Sequence, residues 1–149
     1  MDDKYFDREE AENLLPQLRP WLEEARCEKQ KIDAFKNDLT QAASRIMVLG
    51  GTFPPFAELV RKRGEHDKAA ARLVEIIKQI QDTGCVVKDL DQGLVDFPSL
   101  LEGEEIYLCW KLGEAHVDFW HNMEEGFAGR KPIDDPPPER RPQQGPRLQ

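Results

Sequence analysis

The stretch 73-LVEIIKQIQDTGCVVKDLDQGLVDF-97 decides the fold, because the spacing of its apolar residues changes in the middle. Leu73, Ile77 and Ile80 stand four and three apart, the stripe of a helix. From Cys85 the pattern alternates with period two, as a half-buried strand requires. Gly84 sits at the change and closes the helix, since glycine takes up left-handed backbone at little cost. A chain that is helical before this point and extended after it reads as α+β.

Towards the N-terminus, Phe56, Leu59, Arg63, His66, Ala70, Leu73, Ile77 and Ile80 alternate steps of 3 and 4. A longer series precedes them: Leu14, Leu18, Trp21, Ala25, Glu28, Ile32, Phe35, Leu39, Ala42, Ile46 and Leu49, with Glu28 the one interruption. This is the spacing of a coiled-coil seam. Gly50-Gly51-Thr52-Phe53-Pro54-Pro55 between the two series turns the chain, so they form an antiparallel helical hairpin. Asp7 and Glu10 mark its start as a capping box. Pro16 and Pro20 each remove a backbone donor, and a break or kink is expected near Leu15–Pro16. One seam leaves Leu15, Leu22, Val60, Val74 and Ile76 without cover. Two hairpins joined as a four-helix bundle supply it, and a homodimer through the hairpin is the expectation.

Towards the C-terminus, Cys85–Leu90 and Leu94–Phe97 read as strands about an Asp91-Gln92-Gly93 turn, with Pro98 implying an edge or a bulge. Glu102-Gly103 turns the chain into Glu105–Leu112, which sets Ile106, Leu108, Trp110 and Leu112 on one face and Tyr107, Cys109 and Lys111 on the other. Val117–Trp120 is a fourth strand candidate, and His121–Glu125 a helical turn stopped by Gly126. The expected organisation is a single α+β domain over 1–131, with the hairpin at 7–83 and a β-meander at 84–131. Residues 132–149 hold six of the eleven prolines and no apolar period, a disordered tail.

Charge is distributed unevenly. Residues 1–83 carry 16 acids and 14 bases, whereas 84–130 carry 10 acids and 3 bases. An acidic block of this kind disfavours nucleic acid and suits cations or basic partners. No apolar run approaches the ~18 residues of a membrane span. The start, Met1-Asp2-Asp3-Lys4, lacks the basic and apolar regions of a secretory signal. Three cysteines without CxxC spacing fit a reduced, cytoplasmic protein.

Chemistry-bearing residues concentrate between Asp89 and Arg130. Asp89 and Asp91 share a strand face if the strand runs that far, and Glu114, His116 and Asp118 alternate onto one face. His121 and Glu125, four apart, project together from a helical turn as metal ligands do. Carboxylates with imidazole suit Zn²⁺, Mn²⁺ or Fe²⁺. No HExxH or Cys/His zinc spacing accompanies them, so a solvated acidic face is the plainer account. Cys109 with His116 or His121 resembles a thiolate–imidazole nucleophile, yet a cysteine in mid-strand beside Trp110 is usually buried and inert. Gly126-Phe127-Ala128-Gly129-Arg130-Lys131 sets flexible backbone beside two cations, where an anion would bind unless Arg130 pairs with a nearby acid. Trp110 and Trp120 either line a small-molecule pocket or form the core of the sheet.

Several strings resemble the family catalogued as domain of unknown function 2203, a group of uncharacterised prokaryotic proteins. They are Leu14-Leu15-Pro16, Val87-Lys88-Asp89-Leu90-Asp91, Gly93-Leu94-Val95-Asp96-Phe97-Pro98, Cys109-Trp110-Lys111-Leu112-Gly113-Glu114 and Trp120-His121 followed by Gly126-Phe127-Ala128-Gly129-Arg130. The resemblance implies one cytoplasmic domain and brings no catalytic residues. Two functions are therefore expected in order. The first is a dimeric binding module whose small-ligand surface uses Asp89, Asp91, Asp96, Trp110, Trp120 and Arg130. The second is a metal-dependent enzyme, a hydrolase, with Glu114, His121 and Glu125 as ligands.

Overall fold

The computed structural model describes residues 4–49 and 56–133. Two helices, α1 (Arg8–Leu49) and α2 (Phe56–Asp82), precede five strands: β1 (Val86–Asp89), β2 (Leu94–Leu101), β3 (Glu104–Lys111), β4 (Phe119–Asn122) and β5 (Lys131–Pro132). The sheet is antiparallel in the order β1-β2-β3-β4-β5, a meander, so the α+β reading holds. Among the described residues no helix is long and apolar enough to cross a membrane. The chain divides into two compact units, one of the residues up to Leu22 with those from Lys78 onward, the other Glu23–Ile77.

The second unit is a helical hairpin. Its cross-helix contacts run in opposite directions along the two helices: Arg72 to Glu24 at 2.7 Å, the His66 ring against Phe35 at 4.9 Å, and Lys62 to Asp38 at 3.2 Å. That sequence is the mark of antiparallel packing. The inner stripe of α2 differs from the expected one, however. Ala69 and Ile76 are buried and Lys62, Ala70 and Ile77 half-buried, while Arg63 is exposed. Both stripes have 3–4 spacing, so periodicity alone cannot choose between them, and packing does.

The first unit sets the start of α1 on one face of the sheet. Asp7 Oδ1 accepts from the Glu10 N–H at 2.7 Å and Glu10 Oε1 accepts from the Asp7 N–H at 3.0 Å, the expected capping box. Ala11, Leu15, Leu18 and Leu22 are buried, as are Val95, Phe97, Leu108 and Trp110 on the sheet. Phe6 packs edge-on against Phe97, and Arg19 lies over Trp110 while donating to the Ala115 carbonyl.

Helix α1 runs through Pro16 and Pro20 without a break, so of the break or kink expected near Leu15–Pro16 the break does not occur. The two prolines are four apart and exposed. The carbonyls of Glu12 and Pro16, which lose their donors, therefore lie on the water side, and the buried leucines hold the rest of the turn. Leu15, Leu22 and Ile76 are buried within the single chain, whereas Val60 and Val74 are exposed.

In the sheet Pro98 does not end its strand, and three expectations for the segment after β3 change. Strand β2 continues through Pro98 to Leu101. β1 pairs no further along it than Asp96, and the Phe6 N–H donates to the Pro98 carbonyl, so the donorless nitrogen points to the flank beside Phe6 rather than at β3. The fourth strand lies at Phe119–Asn122 instead of Val117–Trp120, because pairing with β3 carries it to His121 and Asn122. No helical turn forms over His121–Glu125; a turn at Met123–Glu124 is followed by a 3-10 turn at Phe127–Gly129. Lys131 and Pro132 pair with β4 as a fifth strand, so the expected tail gives up its first residue to the sheet. The rest of that tail beyond Ile133, and the Gly50–Pro55 turn, lie outside the described residues.

The expected Glu102-Gly103 turn is present with both residues at positive φ, 54° and 83°, the backbone a two-residue hairpin loop requires.

Candidate functional site

The strand register places a polar cluster on the face of the sheet opposite α1. Asp96 on β2 stands directly across from Cys109 on β3, and His121 on β4 follows Phe119, the partner of Cys109, by one pleat. All three side chains point the same way, away from Val95, Leu108 and Trp110. An outward face of a two-layer fold is normally wet, yet Asp96, Cys109 and His121 are 2%, 1% and 2% exposed. The segment following β4 accounts for this, since Glu125, Gly126 and Phe127 wall a cavity of about 110 Å³ against the three residues, with Lys88 at its rim.

One imidazole, one thiol and one carboxylate thus have their ligand atoms within 4.8 Å of one another. His121 is held at both nitrogens. Nδ1 lies 2.8 Å from the Asn122 carbonyl, which can only accept, so Nδ1 carries a hydrogen. Nε2 lies 3.1 Å from each Asp96 oxygen. With Nδ1 committed, a neutral ring presents a lone pair to a carboxylate, and a positive charge must lie between them, either a proton or a metal ion. Burial pushes the Asp96 carboxyl up, and the neighbouring His121 and Lys88 pull it partly back. Burial, reinforced by the Asp96 charge, pushes the Cys109 thiol up to about 12. As a bare thiol Cys109 is inert, as expected of a cysteine in mid-strand.

The other residues singled out from the sequence do not converge here. Strand β1 ends at Asp89, whose carboxylate accepts from the Gln92 backbone and side chain, and Asp91 lies in the turn that follows. Glu114, His116 and Asp118 occupy a loop and face different partners: Arg130 at 2.9 Å, Glu12 at 3.5 Å and Arg8 at 2.5 Å. Trp110 is fully buried on the helix side, donating to the Glu114 carbonyl. Trp120 shares that face through its pairing with Leu108. Arg130 is gripped by Glu114 and sandwiched between the rings of Phe119 and Phe127, at 3.8 and 4.4 Å, and its Nε is buried without a partner among the described residues. The ion-pair account of Arg130 is therefore the one the geometry favours over an open anion site.

Glu125 does reach the cavity wall, though not from the helical turn expected of it. It accepts from Lys131 at 2.6 Å and from the Asn122 N–H, which hold its carboxyl below the usual range. Two members of the buried cluster were in view from the sequence for other reasons, Asp96 as a small-ligand residue and His121 as a metal ligand. The sequence reads Cys109 as an inert mid-strand cysteine. The signal that would have joined them is register: Asp96 and Cys109 fall on one face once strands are counted back from the two-residue Glu102-Gly103 turn.

A family model described as an uncharacterized conserved protein (DUF2203) matches residues 4–133. No curated protein and no solved structure matches the chain.

Proposed function

We propose, for a chain that belongs to this uncharacterised conserved family, that it is a binding module for a divalent transition-metal ion, with Asp96, Cys109 and His121 as the ligands. The observation that carries the proposal is the buried approach of two acceptors, His121 Nε2 and the Asp96 carboxylate, beside a thiol. Nitrogen, oxygen and sulfur donors together suit zinc, and the thiolate disfavours manganese. In a tetrahedral set with bonds of 2.0–2.3 Å, donor atoms stand about 3.3–3.8 Å apart. Spacings within 4.8 Å close to that with shifts of up to about 1 Å. The Nδ1–H bond to Asn122 fixes the ring so that Nε2 can coordinate.

Three protein ligands beside a cavity match the pattern of catalytic zinc rather than of closed structural sites. A metal held there would supply an acidified water at the open position, and Glu125 lines the cavity wall beside it. Metal-dependent hydrolysis is accordingly the enzymatic form of this reading. Three free cysteines suit a reducing cytoplasm, where a thiolate ligand survives.

The hairpin supports pairing with a second copy. Phe35, Leu39, Leu59 and Val60 line an open groove on it, and Leu39 and Val60 are exposed. Lys36, Arg63 and Asp67 border the groove. Light scattering at micromolar concentration should give twice the 17.2 kDa chain mass; a monomer mass refutes the pairing.

The metal proposal is tested by elemental analysis of protein purified without chelator, alongside Asp96→Ala, Cys109→Ser, His121→Ala and Glu114→Gln. Near-stoichiometric zinc that survives only the Glu114 substitution is the expected result. Metal-free protein whose melting temperature ignores added Zn²⁺ overturns it.

A further inference from the structure

Resting on that metal reading, we infer that the fourth coordination position takes the carboxylate of a small monoanionic ligand, with Lys88 as its counter-charge. Size and charge lead to the same class. The cavity beside the three donors measures about 110 Å³, and a water's share of liquid volume is about 30 Å³. A carboxylate with a short carbon stub fits there.

The charges are those of the cavity wall itself. A divalent ion on the Asp96 carboxylate and the Cys109 thiolate is neutral as a unit. Glu125 is matched by Lys131, whose Nζ is 2.6 Å from Oε1. Lys88 is then the unmatched charge. Its Nζ rests 4.8 Å above the Tyr107 ring, and among the described residues it has no carboxylate at ion-pair distance. Tyr107 also contacts the His121 ring at 5.5 Å, so one aromatic side chain places both the ammonium and a metal ligand beside the cavity. A metal-loaded site therefore carries an excess of one positive charge. A carboxylate neutralises it, binding the metal through one oxygen and accepting from Lys88 through the other. A phosphate dianion overshoots the charge.

Cobalt(II) in place of zinc makes the site visible, because a thiolate ligand gives an absorption band that responds to the fourth ligand. The metal-loaded full chain is titrated with sodium acetate, and separately with inorganic phosphate, at constant ionic strength. Saturable acetate-dependent changes in the cobalt spectrum are expected, with phosphate weaker. Lys88→Ala should weaken acetate binding about fivefold, and Lys88→Arg should restore most of it. A normal cobalt spectrum that ignores acetate, prefers phosphate, or responds equally in Lys88→Ala overturns the carboxylate inference and leaves the metal reading standing. No thiolate–cobalt band at all overturns both.

Discussion

Removing His121 from the metal-free protein tests how the buried cluster is held. The Asp96 carboxylate is 2% exposed and receives His121 Nε2 at 3.1 Å on both oxygens. In His121→Ala it retains only the Cys109 thiol as a side-chain partner in the cluster. Stripping one member from a buried charged pair costs about 3–5 kcal/mol, because the other is left uncompensated. For a chain of this length that is a fall in melting temperature of roughly 10 °C. Asp96→Ala leaves the imidazole with its Asn122 hydrogen bond and should cost about 1–3 kcal/mol. The double variant has no orphaned charge, so its loss should be smaller than the two single losses combined by about 2–3 kcal/mol. Urea unfolding of chelator-treated protein, followed by tryptophan fluorescence, measures all four corners of the cycle. Additive losses, with a coupling under about 0.5 kcal/mol, would refute the reasoning, for then the two side chains do not stabilise each other. Zinc at a hundredfold excess over its dissociation constant should add about 2.7 kcal/mol to the wild type and nothing to the three variants.

The remaining predictions concern the scaffold around the site. Burial raises both Cys85 and Cys109, while Cys27 is exposed, so a thiol reagent at pH 8 should modify one cysteine quickly in native metal-free protein and three in denaturant; two fast native thiols would contradict the burial. Arg72 lowers the Glu24 carboxyl by hydrogen bonding, so this small surface contribution is present above the unfolded carboxyl's range and is lost as pH falls through the lowered folded value. In Arg72→Ala, an NMR titration should find Glu24 back near 4.5, and an unchanged midpoint would sink the assignment. Gly93 has φ +72°, and a Cβ there would lie 2.5 Å from Leu112 Cβ; Gly93→Ala should destabilise by about 1–3 kcal/mol, and an unchanged unfolding midpoint would show the turn to be relaxed. Pro16→Ala restores a helix donor at an exposed position and should stabilise by about 1–2 kcal/mol after the unfolded chain's regained entropy is deducted; a destabilised variant would mean that the proline is needed where it stands.

Much of the fold was legible because its signals are local. The Asp7–Glu10 capping box, the Gly84 stop and the Glu102-Gly103 turn each depend on residues a few positions apart. The alternation of Ile106, Leu108 and Trp110 likewise survives as one buried face of β3. The site was less legible. His121 and Glu125 suggested a helical pair by their spacing, but His121 belongs to a strand whose partner is β3. A spacing of four is a metal signature only on a helix, and the pairing that makes this segment extended comes from elsewhere in the chain.

The sequence by itself determined the order of elements, the α+β class and the ends of the helices, because helix stripes, strand alternation and turn chemistry are written over short spans. Only the tertiary structure decided which α2 residues face inward, and that α1 continues through two prolines. It alone decided that Asp96, Cys109 and His121 meet. Their positions have the alternation of an outward, solvated face, and nothing near any one of them specifies the other two. Strand register brings them together, and the segment after β4 closes over them. Both are long-range contacts, whose free energy depends on residues that no local pattern relates.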